Sequence, residues 1–280
     1  MTEGKAAPTS AEQGSRNLLV RAAAAMVLAP LTIALAYAGG WLWVALVTLA
    51  VVGLYVEWLS VVGGFAPRVV ATGAAAFAAA GFFLATGRID LTLAVLLLGI
   101  GIVVLLVPER RFWIGTGFAY AGAAQVASVL VRLDQAYGFA ALMFVLLIVW
   151  VTDSGGYFAG KGIGGPKLWP RVSPKKTWAG AVGGFAASLV VATGFVAFGS
   201  GKVTPILLLG AMLSIASQLG DLFESAVKRR FGVKDSSQII PGHGGLLDRL
   251  DGFVAAVVLA AILGFLRGGA DGVGRGLMVW

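Results

Sequence analysis

Acidic side chains inside apolar segments are the residues of this sequence most suited to chemistry. Asp153 lies near the end of one long apolar run. Asp221 and Glu224 lie three residues apart near the end of another run, and a second pair, Asp248 and Asp251, repeats that spacing where a third begins. In a helix, a spacing of three or four residues places side chains on one face. Because a carboxylate within a membrane is costly unless it is paired, hydrated or metal-bound, these residues are candidates for function.

Any one of these carboxylates is also explained by a hydrated helix end or by a salt bridge to a nearby lysine or arginine. Three acidic groups at the ends of three apolar segments, beside two cationic loops, instead suit binding of a phosphate substrate through a divalent metal. The sequence has no cysteine and one histidine, so oxygen ligands prevail and favour magnesium over zinc. The lack of cysteine also excludes a thiol nucleophile, a disulfide framework and an iron–sulfur cluster.

The first cationic loop, residues 161–177, ends in Ser173-Pro174-Lys175-Lys176-Thr177. We expect Pro174 to fix a turn and Thr177 to cap the following helix, with two adjacent ammonium groups between them. Taken alone, this loop is typical of the basic loops that orient membrane proteins.

The second cationic segment, residues 225–252, runs from a basic helix end through a glycine-rich turn to the carboxylates of the next helix. The side chains that supply its positive charge are Lys228, Arg229 and Lys234. The backbone N–H groups that could meet phosphate oxygens lie around Gly242, Gly244 and Gly245. His243, between these glycines, is either a polar loop residue or a functional group.

The composition determines which elements must position these residues. Of 280 residues, 59% are hydrophobic and 12% are charged, and the mean hydropathy is +0.91, whereas a soluble domain has about 25% charged residues. A soluble domain and a disordered chain are both excluded. In a membrane protein, the net charge of +8 indicates orientation and anionic lipid rather than binding of nucleic acid.

The hydropathy pattern predicts an all-α, polytopic membrane bundle of nine transmembrane helices. The predicted spans are residues 18–38, 41–62, 69–87, 91–107, 112–131, 137–160, 178–199, 203–226 and 251–267. With the N-terminus in the cytoplasm and the C-terminus outside, sixteen of the 21 lysine and arginine residues fall on the cytoplasmic side. Both cationic loops then face the cytoplasm.

The polar residues divide the chain into four parts. Residues 1–15 are predicted to be a flexible polar tail, 16–150 a transmembrane scaffold, 151–267 the catalytic helices and loops, and 268–280 a short C-terminal tail. The first span is interpreted as an uncleaved helix, although Ala36-Tyr37-Ala38 also has the form of a signal-peptide cleavage site. Glu57, an acidic residue inside a scaffold span and near its end, is interpreted as a carboxylate that reaches the membrane surface.

The second cationic segment resembles the signature of the phosphatidate cytidylyltransferase (CDP-diacylglycerol synthase) family. The signature falls, with its spacing kept, on Ser225, Lys228-Arg229, Lys234-Asp235, His243-Gly244-Gly245 and Asp248-Arg249-Leu250-Asp251. The loop at 173–177 and the segment 153–161 are similar to the same family, so the resemblance covers about residues 150–252.

The resemblance implies transfer of a cytidylyl group from CTP to phosphatidate, giving CDP-diacylglycerol and pyrophosphate. The lipid phosphate would itself attack the α-phosphorus of CTP, so the protein must suppress repulsion between two polyanions rather than supply a nucleophile. The residues to which the resemblance gives catalytic roles are Asp221, Asp248, Asp251, Lys175, Lys228 and Arg229. Asp221 and Asp248 would hold Mg²⁺, with Asp153 as a further supporting carboxylate.

Substrate contacts follow from the same resemblance. The residues expected to contact CTP or the lipid phosphate are Ser173, Lys175, Lys176, Ser225, Lys228, Arg229, Lys234, Asp235, His243, Gly244, Gly245 and Arg249. The resemblance also implies a homodimer in a bacterial inner membrane, with the active site facing the cytoplasm and membrane lipid around the helices.

Two other functions are weighed against this one. Another lipid-phosphate transferase would carry Asp-x-x-Asp-Gly followed by Ala-Arg, and residues 248–252 supply only the first part. A cation- or proton-coupled secondary transporter would account for acidic residues in the membrane, but such folds usually contain internal repeats. The polar motifs of this chain have no counterpart in its first half.

Overall fold

The computed structural model describes residues 26–237 and 244–280 and shows a bundle of α-helices. Its helices are α1 (Met26–Ala38), α2 (Gly40–Val61), α3 (Pro67–Ala85), α4 (Ile89–Leu106), α5 (Arg111–Leu133), α6 (Gly138–Gly162), α7 (Trp178–Ala197), α8 (Val203–Arg230), α9 (Leu247–Gly268) and α10 (Val273–Met278). Within the described residues, the eight helices α2 to α9 are long and apolar enough to cross a membrane. The all-α polytopic fold is therefore confirmed.

The second to ninth predicted spans correspond to α2–α9 within a few residues. The first, 18–38, extends into residues outside the described ranges and stays a prediction, as do the tail at 1–15 and the cleavage question. Two helices are longer than predicted at functionally important ends. Helix α8 continues to Arg230, and α9 begins at Leu247, so Lys228 and Asp248 both lie on helices.

The loop after α6 contains a small β-hairpin that the sequence analysis did not predict. Strands β1 (Lys167–Trp169) and β2 (Ser173–Thr177) pair antiparallel, with Lys167 opposite Thr177. Pro174 was expected to fix a turn, but it lies inside β2. The predicted cap is confirmed, since Thr177 Oγ1 accepts a hydrogen bond from the Gly180 N–H at 3.1 Å.

Helices α2, α3 and α5 interlock through large side chains. The rings of Tyr55, Phe77 and Phe118 are all buried, and their centroids lie 4.6 to 5.7 Å apart. The Trp58 indole N–H donates to the Trp113 carbonyl at 2.8 Å, which joins α2 to α5. These residues belong to the continuous core of the bundle.

Helices α6 and α7 instead approach through small residues. A Cβ placed at Gly184 would collide with the Thr152 carbonyl, and one at Gly183 would collide with the Ala159 side chain. Glycine permits such close backbone contact between membrane helices. Close backbone contact thus joins the two helices beside the hairpin, and one aromatic contact adds to it, with the Phe144 and Phe195 ring centroids 4.9 Å apart.

Residues 268–280, predicted to be a short tail, carry the helix α10, which packs against α5, α6 and α9. Val273, Leu277 and Met278 are buried there. The Arg267 guanidinium lies 3.3 Å from the centroid of the Trp280 ring. This segment is thus part of the bundle, because its apolar face is covered.

Candidate active site

A cavity of about 560 Å³ lies where α6, α7, α8, α9 and the hairpin meet. It gathers residues from segments that are distant in sequence. The residues from the sequence analysis that line it are Asp153, Lys175, Lys176, Asp221, Glu224, Ser225, Lys228, Asp248, Arg249 and Asp251. The convergence of acidic and basic groups predicted from the sequence is therefore present.

The first ion pair joins the hairpin to α8. Lys176 Nζ contacts Asp221 Oδ2, and the two side chains are each 28% exposed. The Ser225 hydroxyl lies one turn further along α8 and donates to Asp221 Oδ1 at 3.4 Å. The ammonium group of the first cationic loop is thus held beside a carboxylate of α8.

The second ion pair lies deeper and joins α8 to α9. Lys228 Nζ donates to Asp248 Oδ1 at 2.7 Å and contacts Glu224 Oε2 at 2.8 Å. Glu224 is buried, and its Oε1 has no hydrogen-bond partner within the described residues. One ammonium group therefore serves two carboxylates that face the same cavity.

Close packing of α8 on α9 brings further carboxylates to this wall. A Cβ at Gly220 would lie 2.6 Å from the Asp251 carbonyl oxygen, and one at Gly252 would lie 2.6 Å from Ser217 Oγ. Asp251 and Asp153 are close enough to interact electrostatically with Asp221. The small residues explain why acidic groups from three helices meet.

Comparison with known proteins identifies the family. A sequence profile of the cytidylyltransferase family matches residues 19–266. The chain belongs to the cytidylyltransferase family. Its matched curated relatives include the phosphatidate cytidylyltransferases of Brucella suis biovar 1 (strain 1330), 47% identical over 170 residues, and of Bacillus subtilis (strain 168), 49% identical over 125 residues.

These two matches cover 59% and 44% of this cytidylyltransferase-family chain and 62% and 46% of the respective relatives. A third relative, the phosphatidate cytidylyltransferase of Haemophilus influenzae (strain ATCC 51907 / DSM 11121 / KW20 / Rd), is 47% identical over 130 residues, which are 44% of this chain and 45% of that relative. The chain thus matches less than two thirds of the length of these relatives.

Several predicted contact residues of this cytidylyltransferase-family protein lie outside the cavity lining. Ser173 begins β2, and Gly244 and Gly245 precede α9. Arg229 is exposed and donates to the Val233 carbonyl at 3.0 Å. The remaining two described residues of this group, both exposed, are Lys234 and Asp235. His243 lies outside the described residues.

The interpretation of Glu57 from the sequence is wrong. This residue was predicted to reach the membrane surface, yet its side chain is buried, with 1% of the residue exposed. Its carboxylate accepts hydrogen bonds from Ser236 and Ser237, which follow α8, and from Leu246 and Leu247 at the start of α9. No local pattern could indicate this, because the donors lie about 180 positions further along the sequence.

Proposed function

We propose that this protein transfers a cytidylyl group from CTP to phosphatidate, giving CDP-diacylglycerol and pyrophosphate. The observation that carries the proposal is that one cavity combines lysines of both cationic segments with carboxylates of three helices. Membership of the cytidylyltransferase family and similarity to proteins named phosphatidate cytidylyltransferase support it.

The basic residues would neutralise the two reacting anions. Lys175 is exposed at the cavity, while Lys176 is already paired with Asp221. Lys228 is held by two carboxylates and is fixed in position. Positive groups that are oriented before substrate arrives stabilise developing charge without reorganising during the reaction. The attacking atom belongs to the lipid phosphate, so the side chains bind and orient rather than form a covalent intermediate.

The donor set fits magnesium. All acidic groups at the cavity offer hard carboxylate oxygens, and Glu224 Oε1 is buried there without a partner among the described residues. No group of three or more acidic or histidine side chains in the described ranges is arranged to hold a metal ion. Magnesium is usually bound through one or two carboxylates together with substrate phosphates and water.

We propose Asp221 and Asp248 as the residues that would hold Mg²⁺, with Asp251 and Asp153 in support. The ion would supply charge neutralisation between the phosphates of the substrates. In the structure, the ammonium group of Lys176 contacts Asp221, and that of Lys228 contacts Asp248. The same carboxylates thus orient Lys176 and Lys228 toward the space where the triphosphate would lie.

The lipid substrate requires an apolar approach to the same space. Tyr157 lines the cavity and is 61% exposed, and the adjacent Phe158 is 71% exposed. Val182 is also exposed on the neighbouring α7. We place the acyl chains along this face of α6 and α7, where each buried methylene contributes roughly 0.8 kcal/mol.

The membrane setting follows from the same arguments. Eight long apolar helices among the described residues support an integral membrane protein. The excess of basic residues at the cavity end supports a cytoplasmic active site in a bacterial inner membrane. The family resemblance is the support for a homodimer.

The test uses purified full-length protein with labelled CTP, phosphatidate vesicles and Mg²⁺. We expect labelled CDP-diacylglycerol and an equal amount of pyrophosphate. Diacylglycerol in place of phosphatidate should give no product, because it lacks the attacking phosphate. Absence of product alongside an active relative as positive control would refute the proposed function.

A further inference from the structure

The Glu57 carboxylate is surrounded by hydrogen-bond donors. Its Oε1 accepts from the Ser237 hydroxyl at 2.5 Å and from the Leu246 N–H at 2.8 Å. Its Oε2 accepts from the Ser236 hydroxyl at 2.9 Å and from the Leu247 N–H at 2.7 Å. Each oxygen therefore receives one hydroxyl and one backbone donor.

This arrangement suits an ionised carboxylate, which only accepts hydrogen bonds. The side-chain amide of a glutamine at this position would direct its two N–H groups at groups that are themselves donors. A backbone N–H cannot become an acceptor, so it could not adapt to the amide. Those backbone groups belong to the beginning of α9, whose first N–H groups lack partners within the helix. Leu246, at the N-cap position, makes no side-chain capping bond, so Glu57 caps α9 from another helix.

The residues that bind Glu57 include Ser236, which also contacts Asp248. The Ser236 hydroxyl binds Glu57, while the Ser236 N–H lies 3.3 and 3.2 Å from the two Asp248 oxygens. The Gly245 N–H donates to Asp248 Oδ2 at 3.1 Å. Ser236 thus joins the buried carboxylate of α2 to the carboxylate that holds Lys228.

Gly245 permits this close approach. A Cβ at Gly245 would collide with Ser236 Oγ and would lie 2.5 Å from Glu57 Oε2. One helical turn before Glu57, a Cβ at Gly53 would lie 3.1 Å from the Leu246 side chain. The segments on both sides of residues 238–243 are therefore packed directly on α2.

We propose that Glu57 is a positioning residue of the active site: its ionised carboxylate fixes Ser236 and the beginning of α9, and thereby holds Asp248 and Lys228 in place. Glu57 does not line the cavity and acts through Ser236. This proposal rests on the proposed function for its kinetic consequence, but the anchoring itself is a structural property.

The kinetic test compares Glu57→Gln, Ser236→Ala and the double variant with a matched control, Glu109→Gln, which changes an exposed glutamate of the same half. Rates are measured per folded molecule, on the monodisperse fraction from size-exclusion chromatography. We expect Glu57→Gln to lower kcat about 100-fold, the effect of misplacing catalytic groups by about 1 Å. The KM for CTP should change much less, because oriented charged groups such as Lys228 and Asp248 act mainly on the charge that develops in the transition state.

Ser236→Ala keeps Glu57 and removes one hydroxyl, so we expect about a tenfold lower kcat and a well-folded protein. The double variant should be no slower than Glu57→Gln, since both residues act along one path. A normal kcat for folded Glu57→Gln, or fully multiplicative effects in the double variant, would overturn the proposal. A purely structural role would reduce the folded yield and leave kcat unchanged.

A second measurement does not depend on catalysis. Amide hydrogen exchange of the peptide that contains Leu246 and Leu247 should be at least tenfold faster in Glu57→Gln than in the natural protein, and unchanged in Glu109→Gln. Unchanged exchange in Glu57→Gln would overturn the anchoring. If the natural protein makes no CDP-diacylglycerol, the proposed function fails, whereas the exchange result still decides whether Glu57 anchors α9.

Discussion

Helices α2 to α5 and helices α6 to α9 are packed in different ways. The first group interlocks through buried rings such as Tyr55, Phe77 and Phe118. The second group meets at glycines, with Gly184 against the Thr152 carbonyl and Gly220 against the Asp251 carbonyl. In a membrane, an apolar side chain gains little free energy by moving from lipid into a helix contact, because lipid is equally apolar. Shape and close backbone contact therefore determine helix packing.

The difference explains where the polar residues can be placed. Because the backbones of the second group lie close together, side chains at the helix ends, such as Asp221, Lys228 and Asp248, converge on one cavity. Two residues of the first group, helices α2 to α5, contact the elements that carry the site. Glu57 binds the segment before α9, and the Tyr120 hydroxyl donates to the Asp251 carbonyl at 3.4 Å. The division into scaffold and catalytic halves is thus incomplete.

The largest effect is expected from the carboxylates of the second group. Asp221→Asn and Asp248→Asn each remove the charge that orients a lysine, and we expect kcat to fall about 100-fold or more, as for the loss of a preorganised electrostatic contact. The protein should remain folded by size-exclusion chromatography. Asp90→Asn, a change in an exposed residue of α4, is the control. Full turnover with both site variants would contradict the assigned roles.

A smaller effect should follow from Gly184→Ala, which tests whether α6 and α7 are held by close approach. The added methyl group meets the Thr152 carbonyl, and overpacking of this kind costs about 1–3 kcal/mol. We expect a lower Tm and a lower kcat, because the helices that line the cavity must separate. Gly194→Ala on the same helix meets no atom within 4 Å and should lower neither quantity, since alanine favours a helix more than glycine does. Equal Tm values for the two variants would contradict the idea that close backbone contact holds α6 against α7.

Phe118→Leu tests the aromatic group. The substitution removes ring contacts with Tyr55 and Phe77, each worth about 0.5–1.5 kcal/mol beyond area burial. We expect a modest decrease in Tm with an unchanged kcat per folded molecule. The measurement pairs thermal unfolding with initial rates, and a selective loss of kcat without loss of Tm would show that this region acts on the site.

Lys202→Ala should have the smallest effect. Lys202 precedes α8 at the helix end opposite Lys228 and is exposed. We expect unchanged kcat and KM for CTP, because the residue lies a full span away from the cavity. A severe kinetic defect in this variant would place a functional surface at the wrong end of the bundle.

Local patterns predicted a large part of the molecule. The eight long helices follow from apolar runs, and the Thr177 cap follows from a residue type at a helix start. The convergence of Asp221, Lys228 and Asp248 was predicted from acidic residues at the ends of apolar segments beside a basic loop. The hairpin was missed, since a three-residue strand and a five-residue strand containing Pro174 carry little alternation.

The sequence by itself determined the apolar spans, the all-α class and the composition of the polar site, because hydropathy and short spacing depend only on neighbouring residues. Tertiary structure decided the pairings: Lys176 with Asp221, Lys228 with Asp248, and Glu57 with the start of α9. Partners so far apart in sequence meet only where small residues let particular helix faces come together.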